Sequence, residues 1–395
     1  APARALTLPL NIMLYRKLGK TGEEVSALGF GLMRLPILDN NIERIDEEKA
    51  KEMVRHAIDQ GVNYLDTAYP YHSASLNASG ASESFTARLL EDGYRQKVKL
   101  ATKLPSWLIQ EEADFERYLN EQLERLQTDC IDFYLAHSLD GQSWPQVKEA
   151  GFYKFIEGAL SSGRVKHVGF SFHDDFPAFK EIVDAYDWGF CQIQYNYVDE
   201  CYQAGRAGLE YAAERGLGVV VMEPLRGGAL VDGLSPAARE LFRRAHPDKS
   251  DAAWGLEWIL NHPEVSLVLS GMSELSQVQD NVAVASRVEA GSMTPEELAV
   301  VEQVKKVLAS VHKVDCTGCR YCMPCPHGVN IPDNFKLYNV AFALDQLDVS
   351  RSRYGFLLDG QQAGCCVECG TCEPLCPQGI KIIEKLKEVH ETLKS

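Results

Sequence analysis

Short, almost unbroken apolar runs alternate with stretches whose apolar residues recur at helical spacing through roughly the first three quarters of the chain. The runs are a segment closing at Phe30 to Met33, the run into Asp66 that opens NYLDTAYPYH (Asn63 to His72), VKLATKLP (Val98 to Pro105), IDFYLAHS (Ile131 to Ser138), VKHVGFS (Val165 to Ser171), CQIQY (Cys191 to Tyr195), GVVVM (Gly218 to Met222) and VSLVLS (Val265 to Ser270). A strand apolar on both faces is buried on both faces, which is the habit of parallel sheets. Between Asp46 and Gln60, Ala50, Met53, Val54, Ala57 and Ile58 recur with a helical period, and Gly61 supplies a stop. Ser82 to Gly93 predicts the next helix, and Phe115, Leu119, Leu123 and Leu126 stripe the one after it. Eight such units predict an α/β fold, a closed (β/α)8 barrel of the TIM type. Residues 13–30, centred on KLGKTGEEVS (Lys17 to Ser26), predict two short strands around a Gly-rich turn ahead of it.

TPEE (Thr294 to Glu297) opens a further helix running to about Val311, with Thr at the cap, Pro295 in the first turn and acids at the positive end of the dipole. The pattern then changes. Cysteine runs and Cys-Pro steps take over, with a helical segment from Asp333 to about Asp348 and a closing helix striped by Ile383, Leu386, Val389 and Leu393. The expected division is an N-terminal extension (1–12, left out of the fold), a barrel (13–311) and a small cysteine-rich domain (312–395).

Composition narrows the partners. Forty basic against 56 acidic residues give a net charge of -16, which argues against nucleic acid or an anionic membrane as partner. No apolar run approaches the roughly 20 residues that span a bilayer, and Ala1 to Ile12 lacks the cleavage pattern of a secretory signal. Nine of the 12 cysteines crowd between Cys316 and Cys376. Tight CxxC runs point to metal in a reducing cytoplasm rather than to disulfides.

The candidate chemistry sits at strand ends. Three successive strands deliver Asp66, Lys103 and His137 at one end, and the loop after Asp66 presents Tyr71. That end is where a parallel barrel keeps its chemistry. A phenol with a pKa of about 10 exchanges protons poorly at neutral pH unless a cation lowers that value, which gives Lys103 a role beside Tyr71. His72 is the competing proton carrier in the same loop.

An Asp at a strand end, a Tyr five residues later, and a Lys and a His on the next two strands resemble the aldo-keto reductases, from about Met13 to about Ala309. The resemblance implies reversible hydride transfer between NADP or NAD and a small-molecule carbonyl or alcohol. Tyr71 would then be the proton donor, Lys103 would lower its pKa, Asp66 would orient the lysine, and His137 would align the carbonyl. It also implies that the hairpin plugs the barrel bottom, and that Ser171 and Gln192 hold the nicotinamide carboxamide. Pro224, Leu225 and Gly227, within PLRGG, would pass under the pyrophosphate, with Ser270, Gln277 and Asn281 toward the adenosine. His72 stands one residue beyond the family position and is expected to be a loop or substrate-pocket residue. The chain departs from many members in carrying Phe172 and His173 after Ser171, Met222 beside Glu223 where an aromatic ring is usual, and no Lys or Arg in the loop after the last strand.

The tail resembles bacterial ferredoxins. CVECGTCEPLCP (Cys366 to Pro377) has the C-x2-C-x2-C-x3-C-P spacing unchanged, while CTGCRYCMPCP (Cys316 to Pro326) is one residue short before its last cysteine. The crossed pattern of two-cluster ferredoxins implies one [4Fe-4S] cluster on Cys316, Cys319, Cys322 and Cys376, and another on Cys366, Cys369, Cys372 and Cys325. Zinc on CxxC pairs is the rival metal. Cys365 is left over as a buried or partly buried thiol, and Cys130, Cys191 and Cys201 are expected as packed hydrophobes. The clusters would serve a structural or an electron-transfer role, the latter with a partner protein. The alternative is a redox or sensor protein whose clusters exchange electrons with that partner while the barrel does not turn over.

Overall fold

A computed structural model describes residues 13–343, 346–357 and 360–394; the N-terminal extension lies outside them. Strands β1 (Tyr15–Lys17) and β2 (Glu24–Ser26) form the antiparallel hairpin, with Tyr15 opposite Ser26. Eight parallel strands follow: β3 (Leu28–Gly31), β4 (Tyr64–Asp66), β5 (Lys99–Leu104), β6 (Ile131–Leu139), β7 (Val165–Phe172), β8 (Phe190–Gln194), β9 (Gly218–Met222) and β10 (Val265–Gly271). Each pairs with the next, and β10 closes on β3 from Val268↔Leu28 to Gly271↔Gly31. The first barrel strand ends at Gly31 rather than at Met33, because Leu32–Arg34 turn into a short 3-10 helix that takes the chain off the sheet.

The hairpin stoppers the end of the barrel away from the catalytic candidates. Leu18 and Val25 are fully buried with Tyr64, Phe133, Phe190 and Leu267 inside the ring of strands. Lys20 N–H donates to the Gly216 carbonyl at 2.8 Å, just ahead of β9. The predicted helical stripe of Glu47–Asp59 is buried at Ala50, Met53, Val54, Ala57 and Ile58, and Asp46 caps the helix by accepting from Lys49 N–H. Thr294 and Glu297 form a reciprocal capping box at the start of Pro295–Val311.

A second, smaller core gathers Val314, Ile331, Phe335, Tyr338, Leu386 and Val389, with cysteines packed against it. The single predicted helix from Asp333 is two, Ile331–Ala343 and Leu347–Gly355. The second turns back onto the closing helix, Ile382–Leu393, where Tyr354 Oη meets His390 Nδ1 at 2.8 Å and Arg351 donates to the Thr392 carbonyl. The buried stripe of the closing helix is Ile382, Leu386, Val389 and Leu393, so Ile382 rather than Ile383 starts it. Among the described residues no helix is long and apolar enough to cross a membrane.

Candidate active site

Asp66, the last residue of β4, and Lys103, near the end of β5, meet at one buried point. Lys103 Nζ donates to Asp66 Oδ1 at 2.5 Å, to the Thr67 carbonyl at 2.9 Å and to Tyr71 Oη at 3.0 Å. Lys103 has no exposed surface and Asp66 almost none. Burial pushes the carboxyl up and the ammonium down, and the ion pair opposes both shifts. The pKa of Tyr71 stands well above that of a free phenol, raised by burial, then by the charges of Asp66 and Glu223. The net direction is therefore upward rather than the expected drop, and Tyr71 is held protonated, as a proton donor must be. Behind the lysine, Gln122 donates to the Lys103 carbonyl at 3.0 Å and to the fully buried Glu83, which Arg125 neutralises at 2.8 Å. This support had no signal in the sequence.

His137 is aimed by an irregularity that the apolar pattern conceals. The register of β6 on β7 shifts between Ala136 and Leu139, and Ser138 takes a left-handed backbone (φ 58°) with its N–H on Ser171 Oγ at 2.7 Å. A bulge of this kind re-aims a side chain, and it leaves the His137 ring edge-on to Tyr71, 6.1 Å between centroids. Burial and the charge of Lys103 hold its pKa well below the ordinary histidine value, so the ring is neutral. His72 does not join them. It lies buried under its loop with Nδ1 on the Ile42 carbonyl at 2.8 Å, away from the cleft.

A cavity of about 630 Å³ opens over these groups and takes in Ser171, Gln192, Pro224, Leu225, Gly227, Ser270, Gln277 and Asn281, all eight proposed nicotinamide-binding positions. Gln192 Oε1 is buried without a partner, an acceptor free for an amide N–H such as that of a carboxamide. Asn281 donates to Ser270 Oγ at 3.0 Å, while Gln277 caps its own helix through Ser273 N–H. Gly227 has a further reason to be glycine. At φ 63° an added Cβ would sit 2.1 Å from the Thr317 carbonyl oxygen, because the tail crosses here.

The same cavity is walled in part by the tail, through Thr317, Cys319, Tyr321, Pro377 and Gln378. Tyr321 Oη lies 3.3 Å from His137 Nε2. Gln378 exchanges two hydrogen bonds with Gln194, at 2.9 and 3.2 Å, and Gln203 donates to the Pro377 carbonyl at 2.6 Å. Arg226, buried beside Asp199, reaches Asp315 at 2.7 Å.

Two small cavities lie within the tail, each lined by four cysteines: Cys316, Cys319, Cys322 and Cys376 in one, Cys325, Cys366, Cys369 and Cys372 in the other. These are the crossed sets implied by the ferredoxin pattern. Among the described residues no three Cys, His, Asp or Glu side chains converge closely enough to hold a single metal ion. Thiols ringing a space are the donor set a cubane takes, one cysteine to each iron. Cys365 is exposed rather than buried, since Cys366 beside it faces the quartet. Of the three barrel cysteines Cys191 alone is fully buried; Cys130 is partly so, and Cys201 is exposed in the loop after β8.

Comparison with known proteins bears on both halves. Residues 27–305 match the model of the aldo/keto reductase family, which accounts for most of the chain. The chain belongs to the aldo/keto reductase family. Residues 315–381 match a 4Fe-4S dicluster domain, so this reductase joins a barrel to an iron-sulfur tail. It is similar to L-galactose dehydrogenase of Arabidopsis thaliana, 28% identical over 73% of this chain and 93% of that protein. It is also similar to 6-dehydroglucose reductase of Novosphingobium aromaticivorans, 26% identical over 67% and 88%. Among solved structures it resembles the holo form of aldo-keto reductase AKR11C1 from Bacillus halodurans, with a TM-score of 0.60 and 28% identity over 74% of this chain and 96% of that one. Each relative covers nearly its own full length within about three quarters of the reductase or less, the extent of a barrel without such a tail.

Proposed function

We propose that the reductase interconverts a carbonyl and an alcohol at the strand ends of the barrel, using NAD(H) or NADP(H) as hydride carrier. The observation that carries this reading is the buried contact of Lys103 with both Asp66 and Tyr71. Asp66 fixes the lysine, the lysine fixes the phenol oxygen, and Tyr71 gives its proton to the oxygen that becomes the alkoxide. Neutral His137 offers Nε2–H to the same oxygen and polarises the carbonyl. Ser171 and Gln192 would hold the nicotinamide, whose chemistry when bound is to give or take a hydride.

Two relatives are named for sugar substrates, and the cleft mixes His173, Gln378 and Tyr321 with apolar walls, so a hydroxylated carbonyl compound is the proposed substrate class. Arg34, the one Lys or Arg among the described residues lining the cleft, is committed to Glu223 and the Thr317 carbonyl. With Asp280 on the adenosine side, this favours NAD over NADP. The tail, taken as 312–395, would hold two [4Fe-4S] clusters on its two quartets, with a structural role toward the barrel taken as 13–311. The competing reading, clusters serving an electron-transfer partner beside an idle barrel, has one observation in its favour: Cys319 lines the cleft itself. The complete Asp66, Lys103, Tyr71 and His137 set weighs against an idle barrel.

Tyr71→Phe is the test. It should lower carbonyl reduction by roughly a hundredfold or more while leaving nicotinamide affinity unchanged, because the lost proton is used only in the transition state. Near-normal turnover of the variant would remove the assignment.

A further inference from the structure

We infer that Tyr321, which the cysteine-rich tail inserts into the barrel mouth, is a specificity-determining residue that hydrogen-bonds a hydroxyl on the carbon next to the reacting carbonyl. The inference rests on the reductase reading and names what its pocket selects.

Tyr321 is 184 positions from His137 in sequence, yet its hydroxyl lies 3.3 Å from His137 Nε2 and its ring stands edge-on to the imidazole at 83°. It lines the cavity together with Tyr71, His137 and Gln192. Among the described residues its hydroxyl pairs with His137 and not with Tyr71. A carbonyl oxygen shared between Tyr71 and His137 therefore has Tyr321 beside it, on the histidine side. The next polar atom a substrate can offer there is a substituent on the adjacent carbon. When Nε2–H of His137 turns to the carbonyl oxygen, the Tyr321 hydroxyl is released from the imidazole, and since it both donates and accepts it can pair with a substrate hydroxyl instead. A substrate with only hydrogen at that carbon would leave the half-buried hydroxyl short of a partner, which is how a site rejects an analogue lacking one oxygen.

Its placement is held rather than incidental. Tyr321 sits between Cys319 and Cys322, in a loop turned by left-handed backbone at Arg320 (φ 66°). Upstream, Arg34 donates to the Thr317 carbonyl at 3.1 Å, where Gly227 gives the loop room. Across the mouth, Cys376 leads into Gln378 and its paired hydrogen bonds to Gln194. Three cysteines of the nearer quartet thus bracket Tyr321 and the fourth anchors the opposite wall. A purely structural plug between the two domains would be served as well by phenylalanine.

The test uses the intact, cluster-loaded chain with glyceraldehyde, which carries the adjacent hydroxyl, and propanal, which lacks it. The parent enzyme should prefer glyceraldehyde in kcat/KM. Tyr321→Phe should lose about tenfold or more on glyceraldehyde, mostly through KM, with propanal and nicotinamide affinity unchanged. A readout apart from turnover is the affinity of the enzyme with reduced nicotinamide for glycerol against 1-propanol, followed by nicotinamide fluorescence. Glycerol should bind more tightly to the parent, and the difference should vanish in the variant. Equal losses on both aldehydes, or a parent enzyme and its complex that do not distinguish the members of either pair, would overturn the inference while leaving the reductase reading in place. A parent enzyme that reduces neither aldehyde removes that reading and this inference with it.

Discussion

Phe133, Phe190 and Leu267 close the inside of the barrel with fully buried apolar surface, and a much larger apolar layer packs its helices outside. The tail has a far smaller core, and its cysteines pack against that core as though completing it. At about 2 kcal/mol for each large apolar side chain buried, the barrel's layers can order a chain of its length by themselves, whereas a unit of some 80 residues ordinarily needs staples. The catalytic candidates belong to the self-sufficient half. The wall that faces them belongs to the cysteine-rich half, which on the reading proposed above is ordered by its clusters, so the quality of the site would be tied to metal loading of the tail.

The largest expected effect breaks the barrel side of this comparison. Lys103→Met removes the cation from a carboxylate with almost no exposure and, among the described residues, no other side-chain partner. Removing one member of a buried ion pair typically costs 3–5 kcal/mol, about a third or more of a domain's stability. We expect that loss in chemical denaturation, with turnover abolished at every pH tested. A variant as stable as the parent would mean that Asp66 is protonated in the folded state.

Next, the two quartets should differ from each other. Cys316→Ser and Cys366→Ser should each lower iron from about eight to about four per chain, since each cubane holds about four. Only the first should depress kcat/KM strongly, because Cys316 belongs to the quartet whose loop carries Thr317 and Tyr321 into the cleft. Equal losses of activity would show that the tail acts as one block and that the nearer quartet has no special hold on the site.

How much of this could be read beforehand follows the same divide. Barrel strands are legible because burial on both faces leaves continuous apolar runs such as GVVVM, and Asp66, Lys103 and His137 stand out as the polar residues that end them. The two cysteine quartets are legible because cluster chemistry constrains cysteine spacing. What escapes is contact between elements distant in sequence: Tyr321 on His137, Gln378 on Gln194, Glu83 behind Lys103, and the bulge that turns His137. None has a local period. Cys365 shows the same limit, since a pair of adjacent cysteines does not say which one faces solvent.

A smaller effect addresses the seam. Gly227→Ala puts a Cβ against the Thr317 carbonyl oxygen and forces a left-handed backbone on alanine. Strain of this sort costs about 1–3 kcal/mol. The tail can relieve it by lifting away, so hydrogen exchange should quicken around residues 315–323 and stay unchanged in β4 to β6. Faster exchange throughout the barrel would instead make Gly227 part of the barrel's own stability.

The smallest expected effect is none at all, and it concerns electrons. Cys319 lines both the nearer quartet's cavity and the catalytic cleft, so distance alone sets no barrier between a cluster there and a bound substrate. The obstacle is chemical. A nicotinamide moves two electrons together as hydride, a cubane passes them singly, and a converter such as a flavin is the usual means of joining the two modes. The sequence carries no recognisable flavin motif, and on the reading proposed above the cavity would be filled by a nicotinamide and a small carbonyl compound. If the tail's service to the barrel is to hold Tyr321 and Gln378 in place, chemically reduced clusters should do that as well as oxidised ones and supply nothing more. We therefore expect no steady alcohol formation when the loaded enzyme receives a low-potential reductant, oxidised nicotinamide and a substrate carbonyl, with no reduced nicotinamide added. Sustained alcohol under those conditions would show that the tail feeds the reaction as well as shaping the site.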